Sequence, residues 1–150
     1  MLNDFWGTPL SHSGSHKSYR PVAVLSFRLN YYLHQLRPMG YHVANVILHA
    51  ITSAVFTRFA GQLFQGETRP TLVAGLLFAT HPIHCEAVAS VVGRADAGAG
   101  LFFLLSLMCY ARFCSAREER TRQREGSLHL YLSLVFASLA MLTKETGISE

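Results

Sequence analysis

Charged side chains are scarce in this chain: Asp, Glu, Lys and Arg make up 15% of its 150 residues, while half are apolar. A soluble bundle with helices buried all round would need more charged surface than this, so a water-exposed domain is disfavoured. Cysteine is sparse too. Cys85, Cys109 and Cys114 show neither paired spacing nor a metal-finger pattern, and they carry no information on redox compartment. The sequence also lacks a phosphate-cradling glycine loop and a strained nucleophile turn. No repeat of tetratricopeptide period and no inverted repeat of apolar segments occurs, which weakens a solenoid and a transporter reading. An apolar leader is missing as well: Met1 to Tyr19 is polar and carries Asp4, His12, His16 and Lys17. The sequence stops as abruptly after Lys144 and Glu145, so a piece of a longer protein is expected.

What the chain does have is apolar runs, over Val43 to Ala60, Thr71 to Ala79, Ala97 to Ala111 and Leu128 to Leu142. Roughly 20 apolar residues of helix cross a hydrocarbon core, and the first, third and fourth runs approach that with their flanks. The expected fold is therefore all-α and polytopic, with about four spans in a multi-pass region over residues 41–150. The formal charge of +4 does not suggest nucleic acid, because the basic residues split into Arg20 to Arg37 and Arg112 to Arg124. Membrane topology explains that split better.

Residues 1–40 read as a loop followed by an interfacial helix. Asn3 to Ser18 is rich in Ser, Gly and His, with Phe5 and Trp6 as headgroup anchors. From Pro21 onward, Val22, Leu25, Leu29, Tyr32, Leu33 and Leu36 recur at helical spacing. Such a helix either lies in the interface plane, with Arg28 and Arg37 at the headgroups, or packs on the rest of the protein. His42, Asn45 and His49 share one face of the first span. The second run ends at Thr80 before His81 and Pro82. Either its helix breaks there or it continues to Val92, and the continuous form would bury His81, His84 and Glu86 near the bilayer centre.

Counting spans places consecutive connections on alternate sides. Residues 1–40, the His81 to Asp96 segment and the Lys144 to Glu150 end fall on one side; Gly61 to Pro70 and Arg112 to Ser127 fall on the other. The cluster Arg112, Arg117, Arg120, Arg122 and Arg124 marks its side as cytoplasmic. Three motifs then share the opposite face: Ser18-Tyr19-Arg20-Pro21, His81-Pro82-Ile83-His84-Cys85-Glu86 with Gly93-Arg94-Ala95-Asp96, and Lys144-Glu145. Cations and carboxylates together suit a charged ligand, since Arg and Lys hold phosphate while a carboxylate or His handles a proton. The alternative is that Arg94 pairs with Asp96 or Glu86 only to lower the cost of charge near lipid. A metal on His81, His84 and Glu86 is disfavoured, because Pro82 breaks the helical spacing.

These motifs, together with Asn3-Asp4-Phe5-Trp6-Gly7, Ala87-Val88 after Glu86, and Gly147-Ile148, resemble the transmembrane O-mannosyltransferases that target cadherins, the TMTC proteins. The resemblance runs along nearly all of the chain. It implies a GT-C-like glycosyltransferase of the endoplasmic reticulum membrane, with a tetratricopeptide half that this sequence does not contain. It implies dolichyl-phosphate mannose as donor, Ser or Thr hydroxyls of cadherin-like proteins as acceptors, and no bound cofactor or metal. In that frame Glu86 and His81 are the expected catalytic residues. Arg20, Arg94 and Lys144 are expected to bind donor phosphate, and His84, Asp96 and Glu145 to orient substrate or support the site. The family's catalytic acid is expected upstream of Met1, and Asp4 does not map onto it. The competing reading is a catalytically incomplete membrane interaction or scaffold module.

Overall fold

The computed structural model describes residues 7–9, 11–15, 18–118 and 123–144. Six helices follow one another: α1 (Pro21–His34), α2 (Pro38–Leu63), α3 (Thr68–Thr80), α4 (His84–Ala89), α5 (Arg94–Glu118) and α6 (Gln123–Thr143). Asp4, Phe5, Trp6, Arg120, Arg122 and Glu145 lie outside the described residues.

Helix boundaries follow local chemistry. Pro21 and Pro38 open α1 and α2, where a missing N–H costs nothing and the ring presets φ. The α2–α3 turn closes with Gly66 N–H donating to Gly61 O at 2.8 Å and Gln65 N–H to Gln62 O at 3.4 Å. That is a Schellman pattern, and it places Gln65 and Gly66 at φ 52° and 85°. His81 ends α3 because a residue before proline is driven out of the helical region, here to φ −64°, ψ 129°. The two open readings of this stretch are thereby decided: the helix breaks at His81-Pro82, and α4 is a separate six-residue helix.

Among the described residues three helices are long and apolar enough to cross a membrane, over Pro38–Leu63, Arg94–Arg117 and Gly126–Thr143. About four spans are expected from the sequence; three helices have the length, and α3 over the second apolar run does not. At 1.5 Å per residue, the 13 residues of α3 rise only about 20 Å, too little for a bilayer core.

α3 returns antiparallel along α2. Gly75 sits against Thr57, Phe56 stacks on Phe78 at 4.2 Å, and the His49 ring lies 3.1 Å from Ala79 O. A Cβ on Gly75 would come within 2.9 Å of Thr57 Cγ2, so this close approach of the two backbones requires glycine. α5 and α6 form the second antiparallel pair, joined by Ser106 Oγ to Ser133 O at 2.9 Å and by Phe102 against Phe136.

The packing is inverted relative to a soluble protein. Most buried positions are small or polar, such as Ala23, Asn30, Asn45, Thr52, Ala60, Arg94, Ala95 and Ser133, with Leu104 and Met108 on α5 as the large apolar ones. Large apolar side chains face outward in helical stripes: Val43, Val46, Ile47 and Ile51 on α2, Leu72, Val73, Leu76 and Leu77 on α3. Small residues let helix backbones approach and buried polar groups join them, while leucine and valine meet lipid as readily as one another. α1 follows the same rule. Ala23 and Asn30 turn toward the bundle, and Leu25, Leu29, Tyr32 and Leu33 are exposed.

Candidate functional site

With α2 descending, α3 returning, α5 descending and α6 returning, the start of α2, the α3–α4 turn, the start of α5 and the end of α6 meet at one end. Asp96 in the first turn of α5 pairs with Lys144 just beyond α6. Asn45 on α2 reaches the α4–α5 connection. The single-face arrangement derived from span counting is therefore present in the contacts.

A cavity of about 530 Å³ opens at this end, lined by His49, Thr52, Phe78, His84, Glu86, Asp96 and Lys144, with small residues of α4 and α5 between them. Of the residues singled out from sequence, it gathers His84, Glu86, Asp96 and Lys144. The α4 helix presents Glu86 from its first turn, and the Glu86 carboxylate accepts no hydrogen bond from a described residue. Lys144 and Asp96 compensate each other across the floor while both stay partly exposed. A carboxylate exposed to the cavity thus stands beside a paired cation, the arrangement needed to take a proton in one place and steady negative charge in another.

His81 is not in this cavity. It lines a neighbouring one of about 570 Å³ with His42, Val46, His49, Ala79 and Val88, and His49 and His84 form the wall common to both. The rings of His49 and His84 lie 5.2 Å apart, and Phe78 packs on His84 at 4.4 Å. Burial, and then the neighbouring His49 and His81, hold the His84 imidazole below its ordinary pKa. The unfolded chain therefore binds more protons at this position than the folded one, and stability is lost as pH falls below about 6.5. Unfolding temperature measured between pH 7.5 and pH 5.5 is expected to fall, and to fall less in a His84→Gln variant.

Arg94 behaves differently from a ligand-binding cation. It is 6% exposed and turned into the protein. Its Nε donates to Asn45 Oδ1 at 2.8 Å, Nη2 to Asn30 Oδ1 at 2.8 Å and to Tyr41 O at 3.1 Å, and Nη1 to Ser26 O at 3.4 Å. The guanidinium also lies 4.8 Å from the Phe27 ring centroid and 5.8 Å from that of Tyr41. It pairs with neither Asp96 nor Glu86 among the described contacts; its donors go to a clamp made of neutral amides and carbonyls. Arg20, at the N-cap of α1, is half-buried and does not line the cavity.

Sequence reasoning singled out the shared face of His42, Asn45 and His49 but gave it no role. That 3–4 spacing was the available signal for His49 in the cavity wall and Asn45 beneath it. Asn30 and Phe78 had none. Among the described residues no group of three or more His, Cys, Asp or Glu gathers to hold a metal ion.

No protein-family model matches the chain, and no solved structure does. Curated proteins do. Protein O-mannosyl-transferase TMTC2 of Mus musculus is 54% identical over 149 residues, 99% of this chain and 17% of that protein. TMTC3 of Homo sapiens is 44% identical over 150 residues, 98% of this chain and 15% of that protein. TMTC4 of Homo sapiens is 43% identical over 162 aligned residues, 98% of this chain and 22% of that protein. The chain thus spans about a fifth or less of the relatives it matches. At 43–54% identity over almost its whole length, the chain is similar to a segment of the TMTC protein O-mannosyl-transferases.

Proposed function

We propose that this segment forms part of the transfer site of a membrane protein O-mannosyltransferase of the endoplasmic reticulum. The donor is dolichyl-phosphate mannose, and the acceptors are Ser or Thr hydroxyls of cadherin-like proteins. The cavity end of the bundle faces the lumen, opposite the Arg112 to Arg124 side. One observation carries this reading: Glu86, His84 and the Asp96–Lys144 pair share one cavity at one end of the helix bundle, in a chain matching proteins named for O-mannosyl transfer.

In this mechanism the acceptor oxygen attacks the anomeric carbon from the face opposite the phosphate, giving inversion. The new C–O bond forms as the mannosyl–phosphate bond breaks, and the hydroxyl proton passes to the Glu86 carboxylate. The bond electrons leave with the lipid phosphate, toward which Lys144 offers its charge. His84, neutral at physiological pH, orients a hydroxyl. Arg94 takes no part in holding phosphate in this scheme, because four of its five N–H donors are committed to protein.

Reconstituting the full-length protein in liposomes with dolichyl-phosphate mannose and a cadherin domain tests the proposal. Mannose is expected on acceptor Ser or Thr. Stable binding of the acceptor without transfer would establish the scaffold reading instead, which the outward apolar stripes of α1 and α3 also accommodate.

A further inference from the structure

The short helix α4 carries Glu86 and yet has no buried residue of its own. Six residues close too few hydrogen bonds to hold a helix in place by themselves. Its position is fixed from outside, and the fixing group is Asn45.

Asn45 is the most deeply enclosed large side chain among the described residues, 1% exposed. Its Nδ2 donates in two directions to the end of α4, to Val88 O at 3.3 Å and to Ser90 O at 2.9 Å. Its Oδ1 accepts from Arg94 Nε at 2.8 Å. One amide therefore ties the long helix α2 and the start of α5 to α4, with donors and acceptor serving different neighbours. Gly93 closes α4 from another side. A Cβ there would stand 2.6 Å from Ala87 Cα and 2.8 Å from Glu86 O, so the backbone after α4 lies directly against the peptide of Glu86.

We propose that Asn45 is a positioning residue for the transfer reaction: it sets the register of α4 against α2 and so fixes where the Glu86 carboxylate stands in the cavity. This rests on the proposed role of Glu86 as base. Asn45 does not touch the cavity and acts only through the backbone of α4.

The two halves of the amide separate its roles. Asn45→Asp in the full-length protein keeps an acceptor for Arg94, now as an ion pair, but loses both donors to Val88 O and Ser90 O. The unfolding temperature is expected to fall, because Val88 O and Ser90 O are left without a donor, and kcat for mannosyl transfer to fall about 10- to 100-fold with little change in KM for the donor. Gly93→Ala displaces the same peptide without touching Asn45 and is expected to give the same kinetic split. In a Glu86→Gln background neither substitution should reduce the residual rate further, because both act through the group already removed. A merely structural role would instead multiply with the Glu86→Gln loss. Full activity of Asn45→Asp and Gly93→Ala beside a disabled Glu86→Gln overturns the positioning role alone. An undiminished Glu86→Gln overturns the base assignment and the positioning role with it.

Discussion

Arg94→Met in the full-length protein is expected to lower the unfolding temperature in detergent more than any other single change in this segment. Methionine fills much of the same volume but donates no hydrogen bond. Asn30 Oδ1, Asn45 Oδ1, Tyr41 O and Ser26 O then lose the donor that holds them. A buried acceptor without a partner costs about 1–3 kcal/mol. The loss is concentrated because this one side chain joins α1, α2 and α5. Arg94→Lys keeps the charge but not the planar fork, and a single ammonium cannot reach four acceptors spread over two helices. An intermediate loss is therefore expected for lysine. Differential scanning fluorimetry on the three proteins gives the order Arg, Lys, Met; equal unfolding temperatures would mean that the clamp contributes nothing.

Glu86→Gln should do the opposite: leave stability unchanged and remove most of the transfer rate. The side chain is exposed to the cavity and its carboxylate takes no described hydrogen bond, so the amide disturbs no packing. An amide cannot accept the acceptor proton, and general base catalysis of this kind contributes about 10²- to 10⁴-fold. The liposome assay with dolichyl-phosphate mannose reads this directly. A loss confined to KM would make Glu86 a binding group instead of a base.

Much of this architecture is legible along the chain. The three long helices follow from uninterrupted apolar runs, since only a helix satisfies its own backbone in lipid. The single-face gathering of the polar motifs follows from counting those runs, and Asp96 meeting Lys144 across the α5–α6 pair is its physical counterpart. His81-Pro82 marked a break or a continuous helix; the backbone restriction before proline chose the break. The α1 stripe was equally readable as an amphipathic helix. That its small and polar side faces the protein depended on what stood opposite.

Individual roles inside the site were less accessible. Arg94 reads from sequence as a cation near carboxylates, because Glu86 and Asp96 are its chain neighbours. In space its partners come from Ser26, Asn30, Tyr41 and Asn45, far along the chain and uncharged. His81 and His84 are three residues apart, yet the turn at Pro82 places them so that His84 alone lines the Glu86 cavity while His81 lines the adjoining one.

By itself, then, the sequence determined the membrane class, the helices and the end of the bundle at which polar groups collect, because these depend on local hydrophobicity and on the backbone's need to satisfy itself. Only the tertiary structure decided which polar residue faces the cavity and which is spent holding helices together. A buried donor is assigned by the nearest acceptor in space, and for Arg94 and Asn45 those acceptors lie on other helices.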